Sequence, residues 1–296
     1  MMKKYILFFV FIAGLVCGCS FNKGVKKNLA TGLYYSYNGF KVNNVVAYNG
    51  YNERLQDNKL PENSILMLYF DNIENFTVVD GKVSIGCELT VTDPDGNTML
   101  HYDDLYKDLK AVSLEDAKYS HVRVTLAKPI VAGKTYTVKS KLFDKKNEKN
   151  YVNVYMEVEV TPSEVDIKHE SKVLTFEKFW FGTKDGELPE NKVRINNKAA
   201  IVLKGVSGFT LTGDTAFPGC SVAVIDSNGV EVMQSDDIFA SAVDGVTAKQ
   251  AEDLSIEVTY ATPIHAKEKY HVHAKVFDKK NPDAGIVIDM DVDVVE

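Results

Sequence analysis

The sequence predicts an all-β protein in which one sandwich of two antiparallel sheets is made twice. The first observation behind this is internal repetition. Residues 45–160 and 173–295 share landmarks in the same order: Leu60-Pro61-Glu62-Asn63 with Leu188-Pro189-Glu190-Asn191, Asp103-Asp104 with Asp236-Asp237, and Phe143-Asp144-Lys145-Lys146-Asn147 with Phe277-Asp278-Lys279-Lys280-Asn281. Laid side by side without gaps, 76–105 matches 209–238 at 9 of 30 positions and 111–147 matches 245–281 at 16 of 37, so a whole domain is duplicated. The landmarks place two register slips, one of five residues near Tyr69 and one of a single residue between Tyr106 and Ala111. The second observation is a side-chain period of two, as in Tyr136-Val138-Ser140-Leu142 and Tyr270-Val272-Ala274-Val276. The third is turn chemistry between such runs, Asp93-Pro94-Asp95-Gly96-Asn97 and Asp226-Ser227-Asn228-Gly229.

Taken in order, residues 1–18 read as a targeting segment. Lys3 and Lys4 are followed by a short apolar run, 5–16, and by Val16-Cys17-Gly18-Cys19. That run is too short for a span, which needs about 20 apolar residues. Residues 19–44 read as a tether, although Leu33-Tyr34-Tyr35-Ser36-Tyr37 has the pattern of an edge strand. The first sandwich is expected over 45–161 and the second over 165–296, joined by the short linker Thr161-Pro162-Ser163-Glu164. Each copy closes on an alternating strand, Val152 to Val160 and Ile288 to Val294. Helix is expected only at 113–120 and 247–253, where a hydroxyl followed three residues later by an acid or Gln can cap one turn.

Two segments carry resemblances. Pro129-Ile130-Val131-Ala132-Gly133-Lys134-Thr135-Tyr136 resembles the approach to strand F in immunoglobulin-like and fibronectin type III sandwiches, which implies a tyrosine corner at Tyr136 and at Tyr270. Lys267 stands where the first copy has Gly133, a departure at the expected left-handed turn. Val16-Cys17-Gly18-Cys19 resembles a bacterial lipobox, which implies lipidation of Cys19, and Ser20 after it resembles an outer-membrane signal facing either the periplasm or the medium. The whole resembles the tandem immunoglobulin-like lipoproteins of glycan-foraging Bacteroidetes.

Charge and cysteines narrow the function. Without Lys3 and Lys4 there are 32 basic and 41 acidic residues, a balance that repels nucleic acid. Cys87 and Cys220 occupy equivalent positions, one per copy, and are expected as buried apolar thiols. No hydrolase, metalloprotease, phosphate-loop or dinucleotide motif is present, so no enzyme activity and no cofactor are expected. His271 and His273, with His265, form the best histidine grouping, but Thr137 and Lys139 replace the pair in the first copy, so no metal is expected. The acids Asp93, Asp95, Asp103 and Asp104 with their counterparts read as turn residues rather than a calcium site, and Asp289, Asp291 and Asp293 as acids guarding a sheet edge.

Aromatic residues supply the candidate ligand contacts. Carried back from the Leu-Pro-Glu-Asn landmark, Tyr48 and Tyr51 line up with Phe176 and Phe179, and Trp180, the only tryptophan, points outward opposite Asn52. Tyr51, Phe179 and Trp180 are the candidate ligand residues. The expected role is a non-catalytic envelope lipoprotein, attached to the membrane through its lipid, that binds a glycan, a protein or an envelope partner. The alternative is a glycan-active enzyme or the sugar-binding subunit of a polysaccharide-utilisation system. A deep cleft where ionisable groups from both halves converge would overturn the reading that the protein offers surface rather than doing chemistry.

Overall fold

A computed structural model describes residues 23–183 and 186–296, so the expected targeting segment 1–18 and Cys19 lie outside the described residues. The first half runs β1 (Lys23–Lys27), β2 (Tyr34–Asn38), β3 (Lys41–Tyr48), β4 (Lys59–Pro61), β5 (Ile65–Glu74), β6 (Lys82–Val83), β7 (Ile85–Thr92), β8 (Thr98–Tyr102), β9 (Val112–Ser113), α1 (Leu114–Lys118), β10 (His121–Thr125), β11 (Lys134–Asp144) and β12 (Asn147–Thr161). The second runs β13 (Lys168–Lys172), β14 (Lys178–Thr183), β15 (Gly186–Glu187), β16 (Lys192–Arg194), β17 (Lys198–Lys204), β18 (Thr215–Ala216), β19 (Pro218–Ile225), β20 (Glu231–Ser235), β21 (Val246–Thr247), α2 (Ala248–Ala251), β22 (Asp253–Thr259), β23 (Glu268–Asp278) and β24 (Asn281–Val295).

The topology repeats except at its margins. In the first half a sheet β10-β5-β3 faces a sheet β1-β2-β12-β11-β7-β8, with β4 added parallel to β12; in the second, β22-β17-β14-β15 faces β13-β24-β23-β19-β20, with β16 parallel to β24, and among the described residues β1 and β15 have no counterpart strand in the other half. Each pair of sheets closes on its own apolar core, one drawn from Leu33 to Val160 and the other from Leu174 to Val294. This is an all-β protein of two antiparallel sandwiches, and the alternation in the sequence is the reason: Tyr136, Val138 and Leu142 turn inward together while Thr135, Thr137 and Lys139 turn out.

The tyrosine corners form in both copies. Val131 N–H donates to Tyr136 Oη (2.9 Å), which donates in turn to the Val131 carbonyl (3.2 Å). In the second copy His265 N–H donates to Tyr270 Oη (2.9 Å), and that hydroxyl donates to Glu268 (2.7 Å). Lys267 takes the left-handed conformation of Gly133 despite its side chain, at φ 67° against 83°. The ladder bond that the turn must deliver explains why. Lys267 N–H reaches the Val294 carbonyl as Gly133 N–H reaches Val160.

The repeated motifs are partners of one another. Lys145 of the first Phe-Asp-Lys-Lys-Asn hairpin pairs with Asp104 (2.6 Å), and Lys279 of the second pairs with Asp237 (2.7 Å). The hairpin aspartates Asp144 and Asp278 are fully buried and tie down distant backbone: Asp144 accepts from Thr77 N–H (2.6 Å) and Lys146 N–H (2.8 Å), Asp278 from Thr210 N–H (2.7 Å) and Lys280 N–H (2.9 Å). Both short helices stand where expected, capped by Ser113 and by a Thr247/Gln250 capping box.

Three readings need correction. Residues 23–44 are not a tether: β1 and β2 form a hairpin on the edge of β12, and Leu33, Tyr35 and Phe40 enter the core. The free edge of β12 is the physical reason, since unpaired backbone groups take any strand that alternates correctly. The Leu-Pro-Glu-Asn match is also a false register. Leu60 pairs with Val160, whereas the residue pairing with the equivalent Val294 is Val193, so Leu60 corresponds to Val193 and not to Leu188. Asn63 and Asn196 confirm it, both left-handed (φ 67° and 65°) and both donating to the residue after the first sheet's edge strand, at Leu126 and Tyr260. Asn191 instead matches Asn58, each bonding the last strand of its half, at Asp291 and Glu157. With this register the five-residue slip near Tyr69 disappears. Finally, of Asp289, Asp291 and Asp293, the first and last do not guard an edge, because β13 and β16 lie beside β24, where Lys168 pairs with Asp289 and Lys192 with Asp293.

Candidate functional site

The corrected register moves the aromatic candidates. Phe181 pairs with Ile201 and Ala47 with Leu68, and these partners pair with the equivalent Ile256 and Val122. Phe179, Trp180 and Phe181 therefore correspond to Val45, Val46 and Ala47, not to Tyr51 and its neighbours. Phe179 is half-buried on the core side, edge-on to Phe176 (5.5 Å) and His169 (5.4 Å), where it closes one end of the second core. Trp180 is on the opposite face of β14, half-buried, with the Lys178 ammonium 5.0 Å above its ring. That ammonium also meets Glu187 at 3.2 Å.

Tyr51 belongs to the seam between the halves. Its hydroxyl donates to the Lys192 carbonyl (3.2 Å), the Lys192 ammonium lies 5.5 Å from its ring, and Arg194 donates to the Gly50 carbonyl (2.7 Å). The linker is pinned beside this seam, as Glu164 N–H and Ser163 Oγ both donate to the Pro189 carbonyl. The loop 49–58 is held for the task by Asn49, whose side chain accepts from Tyr51 N–H and Glu53 N–H.

Next to the seam a cleft of about 790 Å³ opens between the halves. One wall is the outward face of β5 and β10, with Ile65, Met67 and Arg123; the other is β14 to β17 and their loops with Leu188 and Lys198, extended by Glu257 of β22. Trp180 does not line the cleft; it stands beside the lining residue Gly182, whose Cβ would lie 3.2 Å from the indole, and Tyr51 is the aromatic residue of the lining. The cleft thus gathers apolar wall, aromatic rim, and the amides of Asn52, Asn63, Asn196 and Asn197. Its charges are largely paired with each other: Lys198 with Glu257 (2.6 Å), Lys192 with Glu190 (2.9 Å) and with Glu53 (3.8 Å). Arg123 is exposed there and has no ion pair among the described residues.

Two side chains of the cleft are shifted from their ordinary acidity. Burial, with the Glu190 and Glu53 charges behind it, pushes the Tyr51 phenol up, so it stays a donor. Burial alone would lower the Lys192 ammonium, but Glu190 holds it above its ordinary value. Both groups move away from neutrality, the reverse of what a general acid or base needs. The lining includes no histidine and no cysteine among the described residues. Sequence reasoning placed Tyr51 and Trp180 among the candidates but missed the cleft, because its walls are outward strand faces with the ordinary polarity of solvent-exposed sheet.

The remaining candidates resolve locally. Cys87 and Cys220 are buried and unbridged, and burial pushes their thiols up to about 11 and about 12. Asp93 caps its own turn by accepting from Asp95 and Asn97 N–H groups, as Asp226 does from Asn228 and Val230. His265 stays apart from the other two histidines. Among the described residues, one set brings three metal-ligating atoms within 4.8 Å of one another: His271, His273 and Asp289.

No protein-family model matches the chain, and no curated protein does. Among solved structures, one titled pT26-6p has 9% identity and a TM-score of 0.22, covering 92% of this chain, which in turn spans 65% of that chain's length. The three FKBP domains of wheat FKBP73 have 7% identity and a TM-score of 0.15, covering 77% of this chain and 93% of that one. Likenesses this slight carry no argument about fold or function. No helix among the described residues is long and apolar enough to cross a membrane.

Proposed function

We propose that the protein is a non-catalytic, lipid-anchored envelope protein whose two sandwiches, immunoglobulin-like in type, hold a ligand in the cleft between them. The observation that carries this is the cleft itself: a concave, partly apolar space with an aromatic residue and side-chain amides at its rim, and charges that neutralise one another. A glycan suits such a surface, because sugar rings offer an apolar face to Tyr51 and hydroxyls to amides and carboxylates. The convergence of ionisable groups from both halves departs from simple surface display, and the proposal accordingly seats the ligand between the halves rather than on one of them.

Anchorage rests on Cys19 and its lipobox; an outer-membrane position rests on Ser20. Radiolabelled palmitate should enter the wild-type chain and not Cys19→Ala; equal labelling of both would remove the anchor. A glycan array probed with the chain lacking its signal segment tests the ligand. Binding that falls at least tenfold in Arg123→Ala or Tyr51→Ala supports the cleft. Turnover of any bound glycan would replace the proposal with the enzymatic alternative.

A further inference from the structure

The outward face of β23 and β24 carries a group of side chains that the fold does not need. His271 and His273, two residues apart on β23, share that face, and their cross-strand partners on β24 are Asp291 and Asp289. One oxygen of Asp289 lies 2.8 Å from His273 Nδ1 and 3.1 Å from His271 Nε2, and the other ring nitrogen of His271 lies 2.9 Å from Asp291. The matching positions on β11 and β12 hold Thr137, Lys139, Tyr155 and Glu157, with Tyr155 simply bonded to Glu157. That half folds into the same ladder without any imidazole. The histidines and the paired aspartates are therefore additions to a scaffold that is complete without them.

From this geometry we propose that His271, His273 and Asp289 form a site for a divalent transition metal of the zinc type, oriented by Asp291. Two imidazoles and a carboxylate are the donor set such ions take, and three protein ligands leave a fourth position for water or for a group supplied by a partner. The ligand atoms already lie within 4.8 Å of one another; tetrahedral bonds of about 2.0–2.2 Å set ligands about 3.4 Å apart, so the Asp289 oxygen draws back slightly from the two imidazoles as the ion enters between them. Asp291 plays the part of the carboxylate that fixes a ligating imidazole from behind. All three ligands are partly exposed, with side-chain accessibilities of 41%, 45% and 36%, so an ion reaches them from solvent. Across the ladder, Lys168 on β13 stands opposite Asp289, and it forms no ion pair with that carboxylate among the described residues.

The test is calorimetric titration of the full chain, stripped with EDTA, with Zn2+, and the visible spectrum with Co2+ as a geometric probe. One zinc per chain and a rise in thermal midpoint are expected. Affinity should fall by about 10- to 100-fold in Asp291→Asn and become undetectable in His273→Ala, while His101→Ala, at an unrelated His–Asp pair, binds as wild type. Unchanged circular dichroism and apo melting in these exposed variants separate loss of a ligand from loss of fold. Failure of the full chain to bind Zn2+ or Co2+, or binding that survives the His271→Ala/His273→Ala double variant, would overturn the proposal.

Discussion

The strand pair β11–β12 in the first half and its copy β23–β24 in the second are nearly the same on one face and unrelated on the other. Inward, Tyr136, Val138, Met156 and Val158 are answered by Tyr270, Val272, Met290 and Val292, all buried. Outward, Thr137, Lys139, Tyr155 and Glu157 are answered by His271, His273, Asp289 and Asp291. The inward residues are constrained by packing, where even one methylene is felt, whereas the outward ones are free to take up new chemistry. Individuality in a duplicated fold therefore belongs where the ladder is indifferent to side chain, and both candidate sites, the histidine cluster and the cleft, are built from outward strand faces.

If the halves share one framework, the same substitution should do the same damage in each. The largest effect is expected at the buried hairpin aspartates. Asp144→Ala and Asp278→Ala each strand two backbone donors that the side-chain oxygens now satisfy, at a cost of about 3 kcal/mol in urea unfolding. Unequal losses would show that the hairpins are not equivalent. Next come Asp104→Asn and Asp237→Asn, about 2 kcal/mol each at neutral pH. Burial alone would raise both carboxyls, but Lys145 or Lys279 and two backbone N–H groups hold them below the usual carboxylate range. Lowered in the folded state, they add stability above the ordinary carboxylate pKa of about 4 that is lost as pH falls through the folded value. Wild type and variants should accordingly converge in acid, as unfolding scans between neutral and acid pH would show.

The seam sharpens the comparison by joining what duplication made separate. Tyr51→Phe removes the bond to Lys192, and Arg194→Ala the bond to Gly50, each worth about 1 kcal/mol. Calorimetry of the double variant should split one melting transition into two; a single unaltered transition would deny the seam any coupling role. The smallest effect is at the corner. Lys267→Gly relieves a left-handed side-chain residue and should stabilise by about 0.5–1 kcal/mol, while Gly133→Ala destabilises by a similar amount. Thermal midpoints moving in opposite directions would confirm that strain at the left-handed residue outweighs the other difference between the corners, a Tyr270 hydroxyl bonded to Glu268 where Tyr136 bonds backbone.

The framework was legible because packing writes itself into sequence with period two. Tyr136 and Tyr270 announced their corners, and Thr247 with Gln250 announced a capped turn. The Leu-Pro-Glu-Asn match misled because four identical letters say nothing about backbone role. What the position after β4 requires is a residue that tolerates positive φ, and Asn63 and Asn196 share that while their neighbours share nothing. That error carried Tyr51 onto Phe179 and hid the true partner of Trp180, Val46. The pattern of β2 was legible in Leu33 to Tyr37, but its docking was not, because its pairing partner, the edge of β12, lies more than a hundred residues away, and β1 was missed with it. The cleft was illegible altogether, since it depends on how two domains meet.

The central claim is that ligand is held between the halves, and hydrogen–deuterium exchange of the protein with and without a partner recovered from the array tests it most directly. Protection is predicted on both walls at once, over residues 49–53 and 63–67 of the first half and 192–200 of the second. Protection confined to one half would contradict it.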